Sequence, residues 1–138
     1  MTMTNIVVRY LEGDRLAAAV RGHELMVDQP AADGGEDFAP TPTELFVSGL
    51  AACVGFYAER YLRRHGLDAT GLVVECDFDF SEDRPSRVSD IRISVTAPGL
   101  PDARREPFAR VIERCTVHNS LVQPPSVTME LVGSKKAA

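Results

Sequence analysis

No apolar run in this chain approaches the ~18 consecutive residues of a membrane-spanning helix, so a transmembrane role is excluded on hydropathy. Positive charge is also in short supply. Lys and Arg number 15 against 20 Asp and Glu, giving a net charge of −5. No basic stripe is available to neutralise phosphates, which excludes nucleic acid as an expected partner. Residues 1–5, Met-Thr-Met-Thr-Asn, lack the charged region and apolar core of a signal peptide, and the expected location is cytoplasmic. Cysteine is scarce and odd in number, with three residues. Such a set does not make a disulfide framework, and in a reducing compartment it points to reduced, metal-binding or catalytic thiols.

Other absences narrow the chemistry. The chain contains no Gly-rich phosphate loop and no serine nucleophile elbow. Cys115 and His118 are three apart, but no second close pair of Cys or His completes a zinc pattern, so neither a metal nor a cofactor is expected. Repeats and low-complexity segments are missing, and at 138 residues the chain reads as one domain, 1–138. A domain of this size buries roughly two-thirds of its unfolded surface and folds without staples.

What is present is organised around residues 41–66. Thr41 stands three residues before Glu44, a capping box. Pro42 occupies the first helical position, where a missing N–H costs nothing. The run continues without a breaker to Arg63-Arg64-His65, cations suited to a helix C-terminus, and Gly66-Leu67 supplies the left-handed cap and its apolar follower. This helix, about 35 Å long at ~1.5 Å per residue, is apolar on most faces, which predicts a central, buried helix. Cys53 lies near its middle. Gly49 leaves room beside the sulfur, while Phe46, Leu50, Phe56 and Tyr57 are the expected walls of an apolar pocket. On these residues alone Cys53 reads first as a core thiol.

The remaining chain alternates in ways that predict strands. Residues 6–11, 16–20 and 23–28 read as an antiparallel meander, and 29–40 as a Pro- and Gly-rich acidic loop. In 72–80, Val74, Cys76, Phe78 and Phe80 alternate with acidic residues, which predicts a half-buried strand with Cys76 as a core thiol. Ile91, Ile93 and Val95 predict its hairpin partner. Phe108, Val111, Ile112 and Cys115 fall at i, i+3, i+4 and i+7, predicting a second helix whose core-facing stripe ends in Cys115. After Pro124-Pro125, the alternation of Val127, Met129 and Leu131 predicts a last strand. The expected fold is α+β: an antiparallel sheet with helices on one face.

Pro42-Thr43-Glu44-Leu45, Ala51-Ala52-Cys53 and Cys115-Thr116-Val117-His118-Asn119-Ser120-Leu121 together resemble the OsmC/Ohr family of thiol-dependent peroxidases, closest to its broad OsmC-like branch. Arg21-Gly22-His23-Glu24-Leu25, Asp28-Gln29-Pro30 and Gly34-Gly35 extend the resemblance over nearly the whole chain. The resemblance implies an intertwined homodimer with packed central helices and two active sites shared between chains. It implies that Cys53 attacks an organic hydroperoxide and that Cys115 then closes a disulfide, in oxidative-stress defence. A small dithiol such as a lipoyl group is the implied reductant. Members activate the first thiol with an arginine held by a glutamate. Arg15 and Arg84 are the two candidates for that arginine, and Glu44 is the nearest carboxylate, because the residue ten before Cys53 is Thr43. The alternative is a non-catalytic relative that keeps the pocket for an apolar ligand or partner.

Overall fold

The structure, a computed structural model, describes residues 3–133. The chain begins with three strands, β1 (Val7–Glu12), β2 (Arg15–Val20) and β3 (His23–Val27), joined as an antiparallel meander in the order β1-β2-β3. Val8 faces Ala18, which faces Leu25 across the next ladder. A loop containing a 3-10 turn at Ala31–Asp33 leads to the long helix α1 (Pro42–Arg64). The hairpin β4 (Val73–Phe80) and β5 (Val88–Thr96) follows, then α2 (Arg105–Ile112) and α3 (Thr116–Val122). The fold is therefore α+β with antiparallel pairing throughout. Among the described residues no helix is long and apolar enough to cross a membrane.

Helix α1 begins and ends where its local chemistry dictates. The Glu44 N–H donates to Thr41 Oγ1 at 3.1 Å, and Glu44 Oε1 accepts the Thr41 N–H at 2.8 Å, a complete capping box. At the other end Gly66 takes φ +66°, a conformation that costs glycine little. The Leu67 N–H reaches back to the Leu62 carbonyl at 2.8 Å and the Gly66 N–H to that of Arg63 at 3.1 Å. These two bonds form the Schellman arrangement that satisfies otherwise orphaned carbonyls.

One stripe of α1 makes the core. Leu50 and Val54 pack with Cys115, while Ala58, Tyr61 and Leu62 pack with Phe108 of α2. The hairpin lies against the same helix through Val74, Ile91 and Val95. Residues elsewhere on α1 are not covered within one chain: Phe46 is 45% exposed and Phe56 52%.

Three expectations from the sequence are corrected. The antiparallel pairing falls in two separate ladders, of three and two strands, instead of one sheet. The 23-residue helix lies between them in sequence, and α1 packs on β4, β5, α2 and α3 while the meander strands pack chiefly on one another. The strand expected around Val127, Met129 and Leu131 does not form; these side chains are 72%, 94% and 97% exposed. A strand exists only through its ladder, and alternation records which faces would differ without supplying a partner. Finally, α2 stops at Ile112, and Cys115 is the N-cap of α3, with extended backbone at φ −65° and ψ 148°. Its side chain is nonetheless fully buried, against Leu50 and Val54, although the helical period does not extend to it.

The core at Leu62, which has no exposed surface, should govern stability more than the cap does. Leu62→Ala is expected to lower the unfolding free energy by about 2–5 kcal/mol. Thr41→Ala should cost only about 1 kcal/mol. Urea unfolding followed by circular dichroism measures both, and a larger loss for the cap variant would contradict this ranking.

Candidate functional site

Cys53 and Cys115 reach one another from different segments. Cys53, half-buried on α1, packs against the cluster of Leu50, Val54 and the fully buried Cys115. The two segments are also tied by Tyr57, one turn beyond Cys53, whose hydroxyl lies 3.0 Å from the Oγ1 of Thr116, the residue after Cys115. Gly49, one turn before Cys53, has open space where a side chain would stand. All three cysteines are free thiols.

The two thiols are electrostatically unlike. Burial pushes the Cys115 thiol above the ordinary thiol range. The His118 backbone N–H, donated to its sulfur at 3.3 Å, pulls the other way. The hydrogen bond and the charge of neighbouring Cys53 then add to the upward push. Cys115 is therefore held as a neutral thiol near pH 7. Cys76 stands opposite Ile93 in the β4–β5 ladder and belongs to neither core cluster. Burial, followed by the Asp77 charge, raises it too.

The candidate activating residues lie elsewhere in the chain. Arg15 donates to Glu36 Oε2 at 2.9 Å and Glu12 Oε1 at 3.3 Å, and stands 3.8 Å from Asp28. Its guanidinium also stacks on the Phe38 ring at 3.7 Å. Asp28 is buried, and its carboxyl is held below the usual range chiefly by the Phe38 N–H, with the Gln29 and Glu36 N–H groups and Arg15 adding to this. Arg84 is exposed in the β4–β5 turn and makes no ion pair among the described residues. Glu44 is exposed and occupied by the capping box. Nine residues of helix, roughly 13 Å of rise, separate it from Cys53.

The expected pocket is divided. Phe46 and Leu50 line a cavity of about 390 Å³ with Ile91, Ile93, His118 and Leu121. Phe56 is turned to solvent, edge-on to Tyr57 at 5.5 Å between centroids. Tyr57 instead borders a second pocket of about 350 Å³ with Arg60, Tyr61 and Arg64. Two contributors were missed in the sequence. His118 donates its Nδ1–H to the Glu113 carbonyl at 2.7 Å, so its ring is fixed. Thr116 anchors Tyr57. The Cys115–His118 spacing, read in the sequence as a metal pattern and as part of the family motif, carries the signal: three residues is also the spacing of a helix cap.

The family model of OsmC-like protein matches residues 33–130. Among solved structures, a Psychrobacter arcticus protein named for an osmotic stress and detoxification response is 28% identical, with 87% of this chain and 89% of that chain covered and a TM-score of 0.77. An OsmC-like protein of Mycoplasma pneumoniae is 18% identical, with 89% of each chain covered and a TM-score of 0.73. An organic hydroperoxide resistance protein OsmC of Legionella pneumophila is 17% identical, with 88% of this chain and 90% of that chain covered and a TM-score of 0.67. No curated protein sequence matches the chain.

Exposure and electrostatics order the thiols by reactivity. Brief alkylation of the native protein at pH 7 should modify Cys53 well before Cys115. Because burial raises Cys115, its labelling should climb only as pH passes above the ordinary thiol range, or once the protein unfolds. Peptide mass mapping reads the order, and first labelling of Cys115 would overturn this packing of the site.

Proposed function

The chain belongs to the OsmC-like family, and from that premise we propose that it is a thiol-dependent peroxidase that reduces organic hydroperoxides through Cys53 and Cys115. The observation that carries this reading is the packing of the two thiols into one cluster from separate elements. In the proposed cycle the Cys53 thiolate attacks the distal peroxide oxygen. The O–O bond breaks, the alcohol leaves with a proton, and Cys53 becomes a sulfenic acid. The Cys115 sulfur then displaces hydroxide from it, releasing water and closing a disulfide. A small dithiol, such as a lipoyl group, restores both thiols by exchange and is itself oxidised.

An apolar setting opposes thiolate formation, so a cation is needed beside Cys53. Arg15 suits that role better than Arg84, because Glu36 and Phe38 hold its guanidinium in a fixed orientation. It sits on a meander that does not pack on α1, and therefore reaches a thiol from a second copy of the chain. The same homodimer would cover Phe46, Phe56, Val8 and Tyr10, all at least 45% exposed here. Glu44 retains its structural role in the cap. The whole chain acts as one domain in the cytoplasm in this reading.

A second reading, a non-catalytic relative that binds an apolar ligand or partner, is favoured by one residue: Thr43 stands where the hydroperoxide resistance branch of the family carries its activating glutamate. One equivalent of cumene hydroperoxide separates the two. A peroxidase loses two thiols and the mass of two hydrogens, whereas a binding protein keeps its mass and thiol count.

The roles of the cysteines predict distinct products. Cys53→Ser should reduce peroxide consumption to background, whereas Cys115→Ser should leave a Cys53 sulfenic acid that dimedone traps. The reverse pattern would exchange attacker and resolver. The dimer is checked separately by light scattering at micromolar concentration; a monodisperse monomer would remove the route by which Arg15 reaches Cys53.

A further inference from the structure

The face of α1 that carries Cys53 changes character along its length. With 3.6 residues per turn, Phe46, Leu50, Cys53, Tyr57, Arg60 and Arg64 share one sector of the helix. On the N-terminal side of the thiol the sector is apolar and opens on the cavity lined by Phe46 and Leu50. On the C-terminal side Tyr57, Arg60, Tyr61, Arg64, His65 and Val111 enclose the second pocket, of about 350 Å³. Among the described residues no carboxylate lines it.

The cations there have no carboxylate partner among the described residues, although the Arg60 guanidinium lies over the Phe56 ring at 5.7 Å from its centroid. Arg63, on the neighbouring face, is paired with Glu59, but Arg60 and Arg64 have no ion-pair partner among the described residues. Arg104 brings a third guanidinium to within 3.5 Å of the Tyr61 hydroxyl. His65 donates Nδ1–H to the Tyr61 carbonyl at 2.8 Å and stacks on the Tyr61 ring at 4.1 Å, which stiffens the pocket floor. The helix dipole accounts for cations in the last turn of α1. It does not account for Arg60, a turn further in, or for Arg104 on another segment. A chain with a net charge of −5 thus places two guanidiniums in a pocket with two tyrosines and a third on the Tyr61 hydroxyl, beginning about two helical turns from a candidate nucleophile.

We propose, building on the peroxidase reading above, that this pocket is a head-group subsite for hydroperoxides that carry a carboxylate. The carboxylate meets Arg60 and Arg64, whose planar guanidiniums suit it. The body of the substrate lies over Tyr57 and Tyr61, and its peroxide group reaches Cys53. Arg60 and Arg64 stand seven and eleven residues beyond Cys53, roughly 10 and 16 Å along the helix axis, so the subsite selects an acid whose peroxide is well separated from its carboxylate. An acid with the two groups adjacent cannot span this distance.

The test compares linoleic acid hydroperoxide with its methyl ester, which differ at the carboxylate alone. The wild-type protein should favour the acid in kcat/KM, and this acid-to-ester ratio should fall about tenfold or more in the double variant Arg60→Gln/Arg64→Gln, as for lost charge-assisted bonds. Arg63→Gln, a change to the paired arginine, should leave the ratio alone. Decanoate binding to Cys53→Ser, followed by amide chemical shifts, reads the pocket without any turnover. Decanoate should shift amides around Tyr57–His65, and the double variant should abolish those shifts. A wild-type ratio near one with no decanoate shifts would overturn the subsite even if the protein is an active peroxidase. Decanoate binding without turnover of any hydroperoxide would overturn the peroxidase reading and, with it, the assignment of the acid as substrate, leaving a carboxylate-binding pocket.

Discussion

The burial of one α1 stripe against α2 and the β4–β5 hairpin is the constraint on which the rest of this structure depends. Ala58 and Leu62 have no exposed surface, and Leu50 and Val54 have almost none. A helix is rigid about its axis, so pinning these residues inward sets the direction of every other residue on it. Val54 points into the core, and Cys53, one residue away and about 100° round the helix, falls at the edge of the buried sector. The thiol is consequently packed on one side and accessible on the other. Moving the cysteine by one position would bury it or turn it fully to solvent.

Local physics was legible in the sequence, and docking was not. The beginning and end of α1 follow from hydrogen bonds that close within six residues, between Thr41 and Glu44 and between Leu62 and Leu67, so their residue types announce them. Strands β4 and β5 were readable because each has its alternation and its partner one turn away. Cys115 was misplaced on α2 because period measures side-chain direction, and a residue capping the next helix can share that direction. A cysteine sulfur is also a weak acceptor, so nothing in its type advertises a cap. The segment around Val127–Leu131 failed for the opposite reason: its pattern is a strand's, but a strand needs a partner that the chain does not provide. The proximity of the two thiols depends on how α3 docks on α1. From the residues alone it was invisible, and only the family resemblance implied it.

The same distinction applies to the surface that one chain leaves open. The β1–β3 meander has apolar residues on display, including Tyr10 at 68% exposure and Leu25 at 48%, with no helix layered over it. Small sheets gain stability chiefly by packing a face against another layer. Arg15 belongs to this meander, and its bonds to Glu12 and Glu36 order the guanidinium without placing it near either thiol. In the proposed reading, covering the meander and delivering Arg15 to Cys53 go together. The proposed dimer meets both at once.

The electrostatics of Cys115 bear on the order of events in the proposed cycle. While Cys53 is a thiolate, its negative charge is one of the influences holding Cys115 in the neutral form. Two nearby thiolates would repel one another, so the first ionisation suppresses the second. Oxidation of Cys53 to a neutral sulfenic acid removes that charge. The His118 and Val117 backbone N–H groups, which favour the Cys115 thiolate, remain. Burial still opposes ionisation, but less stands against it than before the first step. In the proposed cycle, loss of that charge would therefore ease deprotonation of Cys115 at the stage when a resolving nucleophile is needed. The charge of the first thiol thus acts in the same direction as the proposed order of attack and resolution.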